Sequence, residues 1–231
     1  RAWSPDILHE TYYAGKPVTS KRCPTVITVY DMIHELFAQD VPAGDPTTRV
    51  KRVAVLRADL VICISENTKK DLVQLFGVDE TKLRVVHLGF DRFDITHEQG
   101  LPAQQRRPHL LYVGHRGGYK NFAGFLRAMS SSSALMRDFD VVAFGGPKFS
   151  VEEHRLLGSL GFGQGQVRHQ AGSDATLAGL YSAASALVYP SLYEGFGIPP
   201  LEAMAYECPV ICSNASSLPE VVGAAGEYFS P

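Results

Sequence analysis

Short apolar runs alternate with segments of helical periodicity along almost the whole chain. The runs are rich in Val, Ile and Leu, and each has the character of a strand that is buried on both faces. Such strands form parallel sheets with helices on either side. The sequence therefore predicts an α/β protein, with strands expected at 24–30, 59–65, 82–89, 109–114, 140–146, 167–172, 186–191 and 209–213.

One polar stretch interrupts this alternation. Residues 91–108 are weakly periodic and include Pro102 and Pro108, as an interdomain linker would. A chain of 231 residues is long enough for two small domains. We expect one domain over residues 1–95, a linker over 96–108 and a second domain over 109–231.

Composition narrows the range of functions. The net charge is −2 and neither half of the chain is rich in basic residues, so no nucleic-acid partner is expected. The four cysteines lack CxxC spacing and lie in or beside apolar runs, which disfavours zinc and favours a reducing, cytoplasmic compartment. No run reaches the ~18 apolar residues of a membrane-spanning helix.

A metal role is not expected for the DxD sequence at Asp138-Phe139-Asp140. It precedes its strand, so its carboxylates would lie at the wrong edge of the sheet for a ligand site. No GxGxxG fingerprint follows a strand, which disfavours NAD and FAD. We therefore expect neither metal nor cofactor.

The most informative stretch is a strand, a glycine turn and a helix over residues 186–205. Gly195 and Gly197 would let the backbone approach a ligand, and the amides that open the following helix face an anion. Glu194 and Glu202 can accept hydrogen bonds from hydroxyl groups. Together these features suggest a nucleotide sugar. On the residues alone, an ordinary α/β turn with a capping glutamate explains the stretch equally well.

The segment EGFGIPPLEAMA at 194–205, followed by PVICS, resembles the E-x7-E segment of retaining glycosyltransferases of family 4. ISENTKKDL at 64–72, VVHLGFD at 85–91 and YVG…KN at 112–121 resemble the same family in the same order. The resemblance implies the GT-B fold, with two Rossmann-like domains facing a cleft. Compared with that family, the chain lacks the first part of one domain and the last helices of the other, so both are expected to be incomplete.

The resemblance also implies roles for the central segment. Glu194 would contact the donor sugar, and Gly195, Phe196 and Gly197 would contact the sugar and the diphosphate. Glu202 would hold the ribose hydroxyls. Glu194 need not be a covalent nucleophile, because a retaining hydrolase needs a second carboxyl group about 5 Å away.

A second predicted phosphate site follows the strand at 109–114. Arg116 and Lys120 precede a helix, where cations and helix amides together suit a diphosphate. The resemblance assigns both to the donor phosphates, and with Glu194 they are the expected catalytic residues. Gly114 and Gly145 lie at strand ends and are expected to bind the donor. A solvated basic loop is the simpler alternative.

Asp31 and His34 follow the strand at 24–30 and are candidate acceptor-side residues. The family often has a histidine directly before this aspartate, whereas this chain has Tyr30 there and a histidine at 34. An ordinary surface or capping histidine remains the alternative for His34.

Two of the predicted helices have an apolar face. Over 46–58, the predicted apolar stripe consists of Val50, Val53, Ala54 and Leu56–Arg57. Arg49, Lys51 and Arg52 are expected on the solvated face, and contact with an anionic lipid surface or the acceptor is the alternative. Over 175–184, the shared apolar face contains Leu177, Leu180 and Tyr181.

The implied activity is metal-independent transfer of a hexose from a nucleotide diphosphate sugar to an acceptor hydroxyl, with retention, in polysaccharide or glycolipid assembly. The segments TVYDMIHE at 28–35 and EGFG at 194–197 most resemble those of bacterial mannosyl- or related transferases of surface polysaccharide assembly. This resemblance implies mannose, with GDP-mannose as the first donor to test. The acceptor would be a sugar or a lipid-linked sugar, and the latter implies peripheral contact with the inner membrane face. The alternatives are a nucleotide-sugar epimerase of the same fold and a non-catalytic nucleotide-binding fragment.

Overall fold

The structure is a computed structural model that describes residues 5–18, 23–91 and 107–231. These residues form two compact units. The first unit contains the described residues up to Gly89 together with Tyr193–Phe196, and the second contains the remainder of the chain to Pro231. Residues 96–106 of the predicted linker lie outside the described residues.

The first unit is built on a parallel sheet of four strands in the order β1-β2-β3-β4. Buried aliphatic side chains from β2 and β3 pack against α2 and α3, which makes the core of this unit. The elements are β1 (Leu8–Glu10), β2 (Thr25–Val29), α1 (Ile33–Leu36), α2 (Thr47–Arg57), β3 (Leu60–Cys63), α3 (Glu66–Phe76) and β4 (Leu83–Val85).

The second unit is built on a parallel sheet of six strands in the order β10-β9-β8-β5-β6-β7. Its strands are β5 (His109–Val113), β6 (Asp140–Phe144), β7 (Val167–Gln170), β8 (Ala186–Tyr189), β9 (Val210–Ser213) and β10 (Glu227–Phe229). Its helices are α4 (Phe122–Ser130), α5 (Ser133–Asp138), α6 (Val151–Ser159), α7 (Asp174–Ala183), α8 (Ile198–Ala205) and α9 (Leu218–Val222). The prediction of parallel-sheet α/β units is confirmed.

The order of this sheet reverses once. The chain runs from β5 outward to β6 and β7, and then returns to place β8 on the other side of β5. The turns after β5 and β8 therefore leave neighbouring strands at the same edge. Ligands of open α/β sheets bind at such a reversal.

Helix ends follow the local signals. Ser65 accepts a hydrogen bond from the Thr68 N–H at the start of α3, and Gly77 ends that helix in the left-handed region at φ 66°. Ser150 and Glu153 form the predicted capping box of α6.

The helix after the turn that follows β5 is α4, which ends at Ser130. Ser132 then begins the separate helix α5 by accepting from the Leu135 N–H at 3.3 Å. The sequence analysis did not predict β10, which pairs with β9. A three-residue strand is too short to produce a recognisable pattern.

The prediction of a solvated Lys51 is wrong. Its side chain is only 1% exposed, and its ammonium lies 2.7 Å from the Glu35 carboxylate, whose side chain is 6% exposed. The ammonium also donates to the main-chain carbonyl of Asp31 at 2.9 Å. In the predicted stripe, Val53 is instead exposed and Ala54 is buried. α2 thus turns a lysine toward the loop that follows β2.

We expect Lys51→Met to lower the free energy of unfolding by about 3–5 kcal/mol, because it leaves a buried carboxylate without its cation. The double variant Lys51→Met/Glu35→Leu should lose less than the single variant, since it removes both charges. Urea unfolding followed by circular dichroism measures the difference. The exposed Arg49→Met on the same helix is the matched control and should change stability by less than about 0.5 kcal/mol. A single variant as stable as the control would contradict a buried ion pair.

The Glu153 carboxyl group has a lowered pKa in the folded protein. Partial burial by itself would raise the pKa of this carboxyl group, but hydrogen bonds from Arg116 and from the Ser150 N–H hold it below its ordinary value of 4.5. Its charge therefore stabilises the fold above pH 4.5, and this contribution is lost as the pH falls through the lower folded-state pKa.

We accordingly expect Glu153→Gln to lower the melting temperature at pH 7 and to lower it progressively less under acid conditions. Differential scanning calorimetry across the acid range measures this convergence. Glu152→Gln, in the same helical turn but exposed, is the control and should show little difference at any pH. A Glu153→Gln deficit that is constant with pH would contradict the proposed charge effect.

Candidate functional site

The turns after β5 and β8 are tied together by hydrogen bonds. The Leu192 N–H donates to the carbonyl of Tyr119 at 2.8 Å. The Asn121 side-chain amide donates to the carbonyl of Pro190 at 3.2 Å. These contacts hold the two turns side by side, at the point where the strand order reverses.

A cavity of about 520 Å³ opens beside the turn after β5. Two cations, one carboxylate and a glycine turn line it, so the lining is polar and its charged side chains are positive in sum. The lining residues are His115, Arg116, Gly117, Tyr119, Lys120, Pro147 and Glu153. The prediction that Arg116 and Lys120 lie together at a strand end is thus met by the geometry.

Arg116 is nevertheless held by the protein itself. Its guanidinium donates to Glu153 at 2.6 and 3.2 Å, to the carbonyl of Gly145 at 3.2 Å and to the carbonyl of Pro147 at 2.6 Å. The guanidinium also lies over the ring of Phe149, 4.7 Å from its centre. Arg116 therefore fixes the loop after β6 and contributes its charge from the cavity wall.

Lys120 has a different setting. Its ammonium lies 5.3 Å from the ring centre of Tyr119 and 5.7 Å from that of Tyr189, and 3.5 Å from the Tyr189 hydroxyl. Aromatic contacts of this kind orient an ammonium without neutralising its charge. Lys120 is thus the second cation that lines this cavity.

Glu202 lies on α8, and its carboxylate accepts a hydrogen bond from the Tyr181 hydroxyl at 2.9 Å. Half-burial raises the pKa of Glu202; the Tyr181 hydrogen bond opposes this and the charge of Asp174 adds to it. The helix itself begins with Pro199 and Pro200 in its first turn after Gly197, whose φ of 109° suits glycine alone. The predicted start of this helix is confirmed.

The segment before Gly197 belongs to the first unit. A Cβ at Gly195 would overlap the carbonyl oxygen of Tyr30, so this glycine allows a close approach of two main chains. From the sequence, we expected Gly195 to let the main chain approach a ligand. Glu194 and Phe196 are both buried, and the Phe196 ring lies 5.6 Å from the His87 ring.

The predicted site residues thus fall into two groups. Gly114, Arg116, Lys120, Gly145, Gly197 and Glu202 lie in the second unit, whereas Asp31, His34, Glu194, Gly195 and Phe196 lie in the first. The structure brings Arg116 and Lys120 together around one cavity, and the Gly145 carbonyl accepts a hydrogen bond from Arg116. The roles of both groups stay predictions.

The acceptor-side candidates have well-defined surroundings. One Asp31 carboxylate oxygen accepts from the Ile33 N–H at 3.0 Å and lies 3.8 Å from the Lys51 ammonium. His34 borders a small cavity of about 220 Å³, and its Nδ1 atom is buried with no hydrogen-bond partner in the described part of the chain. Both lie just beyond the carboxyl end of β2.

Two other features lack the chemistry of a diphosphate site. Asp140 starts β6 and binds Arg168 at 3.2 Å and Arg107 at 3.5 Å, so this carboxylate of the DxD sequence lies in an ion-pair cluster at the opposite end of the strand. A cavity of about 570 Å³ beside α4, β5 and β8 is lined by apolar and uncharged residues and offers no cation to a phosphate.

Within the described segments, the structure contains no helix long and apolar enough to span a bilayer.

Sequence reasoning did not find the partners of these residues. Nothing in the spacing of Arg116 and Glu153 indicated that they would pair, and nothing about Tyr181 indicated more than burial. Arg116 and Glu153 are 37 residues apart in the chain, and Tyr181 and Glu202 are 21 residues apart. Tertiary packing brings the members of each pair together.

Family models match almost the entire chain. The model described as glycosyl transferases group 1 matches residues 94–229, and that described as Glycosyltransferase Family 4 matches residues 1–92. Among curated proteins, O-antigen chain mannosyltransferase B of Escherichia coli is 30% identical over 100% of this chain and 64% of its own length. O-antigen chain mannosyltransferase RfbU of Salmonella typhimurium is 28% identical over 78% of this chain and 49% of its own length.

Solved structures show the same fold. Sucrose-phosphate synthase of Thermosynechococcus elongatus aligns with a TM-score of 0.72 at 23% identity, covering 92% of this chain and 56% of its own. Anabaena HepE, solved in complex with UDP and glucose, aligns with a TM-score of 0.71 at 20% identity, covering 90% of this chain and 58% of its own.

This chain spans less than two thirds of the length of each of these proteins. Their shared architecture is the two-unit α/β fold of GT-B glycosyltransferases, as the resemblance implied. Since the group 1 model covers more than half of the residues, the chain belongs to the family of glycosyl transferases group 1.

Proposed function

We propose that this chain is part of a retaining glycosyltransferase that transfers mannose from GDP-mannose to an acceptor hydroxyl in polysaccharide or glycolipid assembly. Family membership and the mannosyltransferase names of its relatives support this proposal. The observation that carries it is the cavity with Arg116 and Lys120 at the strand reversal of the second sheet.

The proposed chemistry depends on stabilising a leaving diphosphate. Negative charge builds up on that group as the bond to the sugar breaks, and fixed cations in a partly dry site lower the barrier most effectively. Lys120 would bind the diphosphate directly. Arg116 would add its charge from a fixed position, since Glu153 and two carbonyl groups keep its guanidinium in place.

The nucleoside would be held by Glu202. An ionised carboxylate accepts hydrogen bonds from the ribose hydroxyls. Gly114 and Gly145 lie at the carboxyl ends of β5 and β6, where the main chain would pass close to the donor. These assignments follow the family resemblance and agree with the position of α8 after β8.

The sugar and acceptor roles rest on the resemblance. Glu194, a buried carboxylate, would position the donor sugar and support positive charge at its anomeric carbon. Gly195, Phe196 and Gly197 would contact the sugar and the diphosphate. Asp31 and His34 would face the acceptor, which we propose to be a sugar on a lipid carrier at the inner face of the membrane.

The donor site is tested by nucleotide binding to this chain without added metal. We expect GDP to raise the melting temperature more than UDP or ADP does, because a ligand of the folded state stabilises it by linkage. Lys120→Ala should weaken GDP binding by about 1.5–3 kcal/mol, the typical contribution of a hydrogen bond to a charged group. It should weaken guanosine binding little, since guanosine has no phosphate.

Arg127→Ala is the matched control. Arg127 is exposed on α4 of the same unit and lies outside the residues that line the cavity, and its removal changes the net charge equally. It should leave the GDP shift unchanged. A chain that responds to none of the nucleotides, or a Lys120→Ala variant with the full GDP shift, would overturn the proposed site.

A further inference from the structure

Tyr181 is a core residue with a polar contact at its tip. It lies on α7, is fully buried, and packs in the same apolar cluster as Leu177 and Leu180. Its ring lies almost parallel to that of Tyr206, with 6.1 Å between ring centres and 8° between planes. The hydroxyl extends from this packed ring to the Glu202 carboxylate, 2.9 Å away.

The contact has a fixed direction. Burial, followed by the neighbouring charge of Glu202, raises the pKa of Tyr181 far above its ordinary value of 10. The phenol therefore stays protonated at neutral pH, and its O–H donates to the ionised Glu202 carboxylate. Because the ring is fully buried and stacked on Tyr206, the donor has little freedom to turn away.

This hydrogen bond sets the orientation of the carboxylate. It occupies Oε2 of Glu202, and the described structure shows no other hydrogen bond to this side chain. An ionised carboxylate has about four lone-pair positions, so the remaining ones are available to other donors. The two vicinal hydroxyls of a ribose are donors of the required kind.

We propose that Tyr181 is a positioning residue, which orients the Glu202 carboxylate to accept the ribose 2′- and 3′-hydroxyls of the nucleotide. This inference rests on the proposed function, since it assumes that a nucleotide binds beside α8. Tyr181 acts through Glu202 and does not touch the ligand. The juxtaposition that carries it is a fully buried phenol, stacked on a second ring, with its hydroxyl bound to a half-buried glutamate.

The test compares GDP with 2′,3′-dideoxy-GDP by isothermal titration calorimetry. The wild-type chain should prefer GDP. Tyr181→Phe should weaken GDP binding about fivefold, the effect of losing one ordinary hydrogen bond, and should leave dideoxy-GDP binding unchanged. The discrimination between the two nucleotides, and not the overall affinity, is therefore the quantity to follow.

Tyr206→Phe is the matched control. It removes a phenolic hydroxyl from the other ring of the same stacked pair, which is also buried. Its discrimination between the nucleotides should equal that of the wild type. A general loosening of the core would change both variants alike, whereas a positioning role changes only Tyr181→Phe.

Glu202→Gln changes the acceptor of this hydrogen bond. It provides a second test if Tyr181→Phe does not fold. The Tyr181 hydroxyl would then donate to the amide oxygen and turn the amide N–H₂ toward the ribose, so discrimination should fall. Full discrimination in either folded variant overturns the inference. A wild-type chain that binds GDP and dideoxy-GDP equally also overturns it, whereas one that binds no nucleotide overturns the proposed function itself.

Discussion

The reversal of strand order between β5 and β8 is the constraint on which the rest of the second unit depends. A parallel sheet that grows in both directions from its centre leaves two adjacent turns with no helix crossing between them. The turn after β5 carries Arg116 and Lys120, and the chain after β8 leads to α8 and Glu202. Residues far apart in the sequence are therefore placed at one edge, as the proposed nucleotide site requires.

The two cations of this site have different surroundings. Arg116 is nearly buried, and its charge is balanced by Glu153, which lowers the cost of holding a guanidinium inside the protein. The Lys120 ammonium lies near the rings of Tyr119 and Tyr189, and aromatic contacts of this kind do not neutralise a charge. A diphosphate in the proposed site would thus meet one cation paired with a carboxylate and one placed beside aromatic rings.

Local signals in the sequence predicted much of this architecture. The strands and the capping box that begins at Ser150 depend on neighbouring residues, and a single sequence contains that information. The burial of Lys51 did not follow from its helix, because its partner Glu35 lies on another element and only tertiary packing brings the two together. For the same reason, the sequence predicted the buried ring of Tyr181 and gave no signal of the contact made by its hydroxyl. Long-range polar pairs are the part of the site that periodicity does not encode.

We propose that the turns at the strand reversal hold a nucleotide diphosphate. Hydrogen–deuterium exchange of the chain with and without saturating GDP, read by mass spectrometry, is the decisive measurement. We expect slower amide exchange in peptides covering 114–121, 145–153 and 198–205, and unchanged exchange along α4, which lines the apolar cavity. Protection confined to 122–139, or to the first unit, would show that the nucleotide binds elsewhere and would rule out the proposed site.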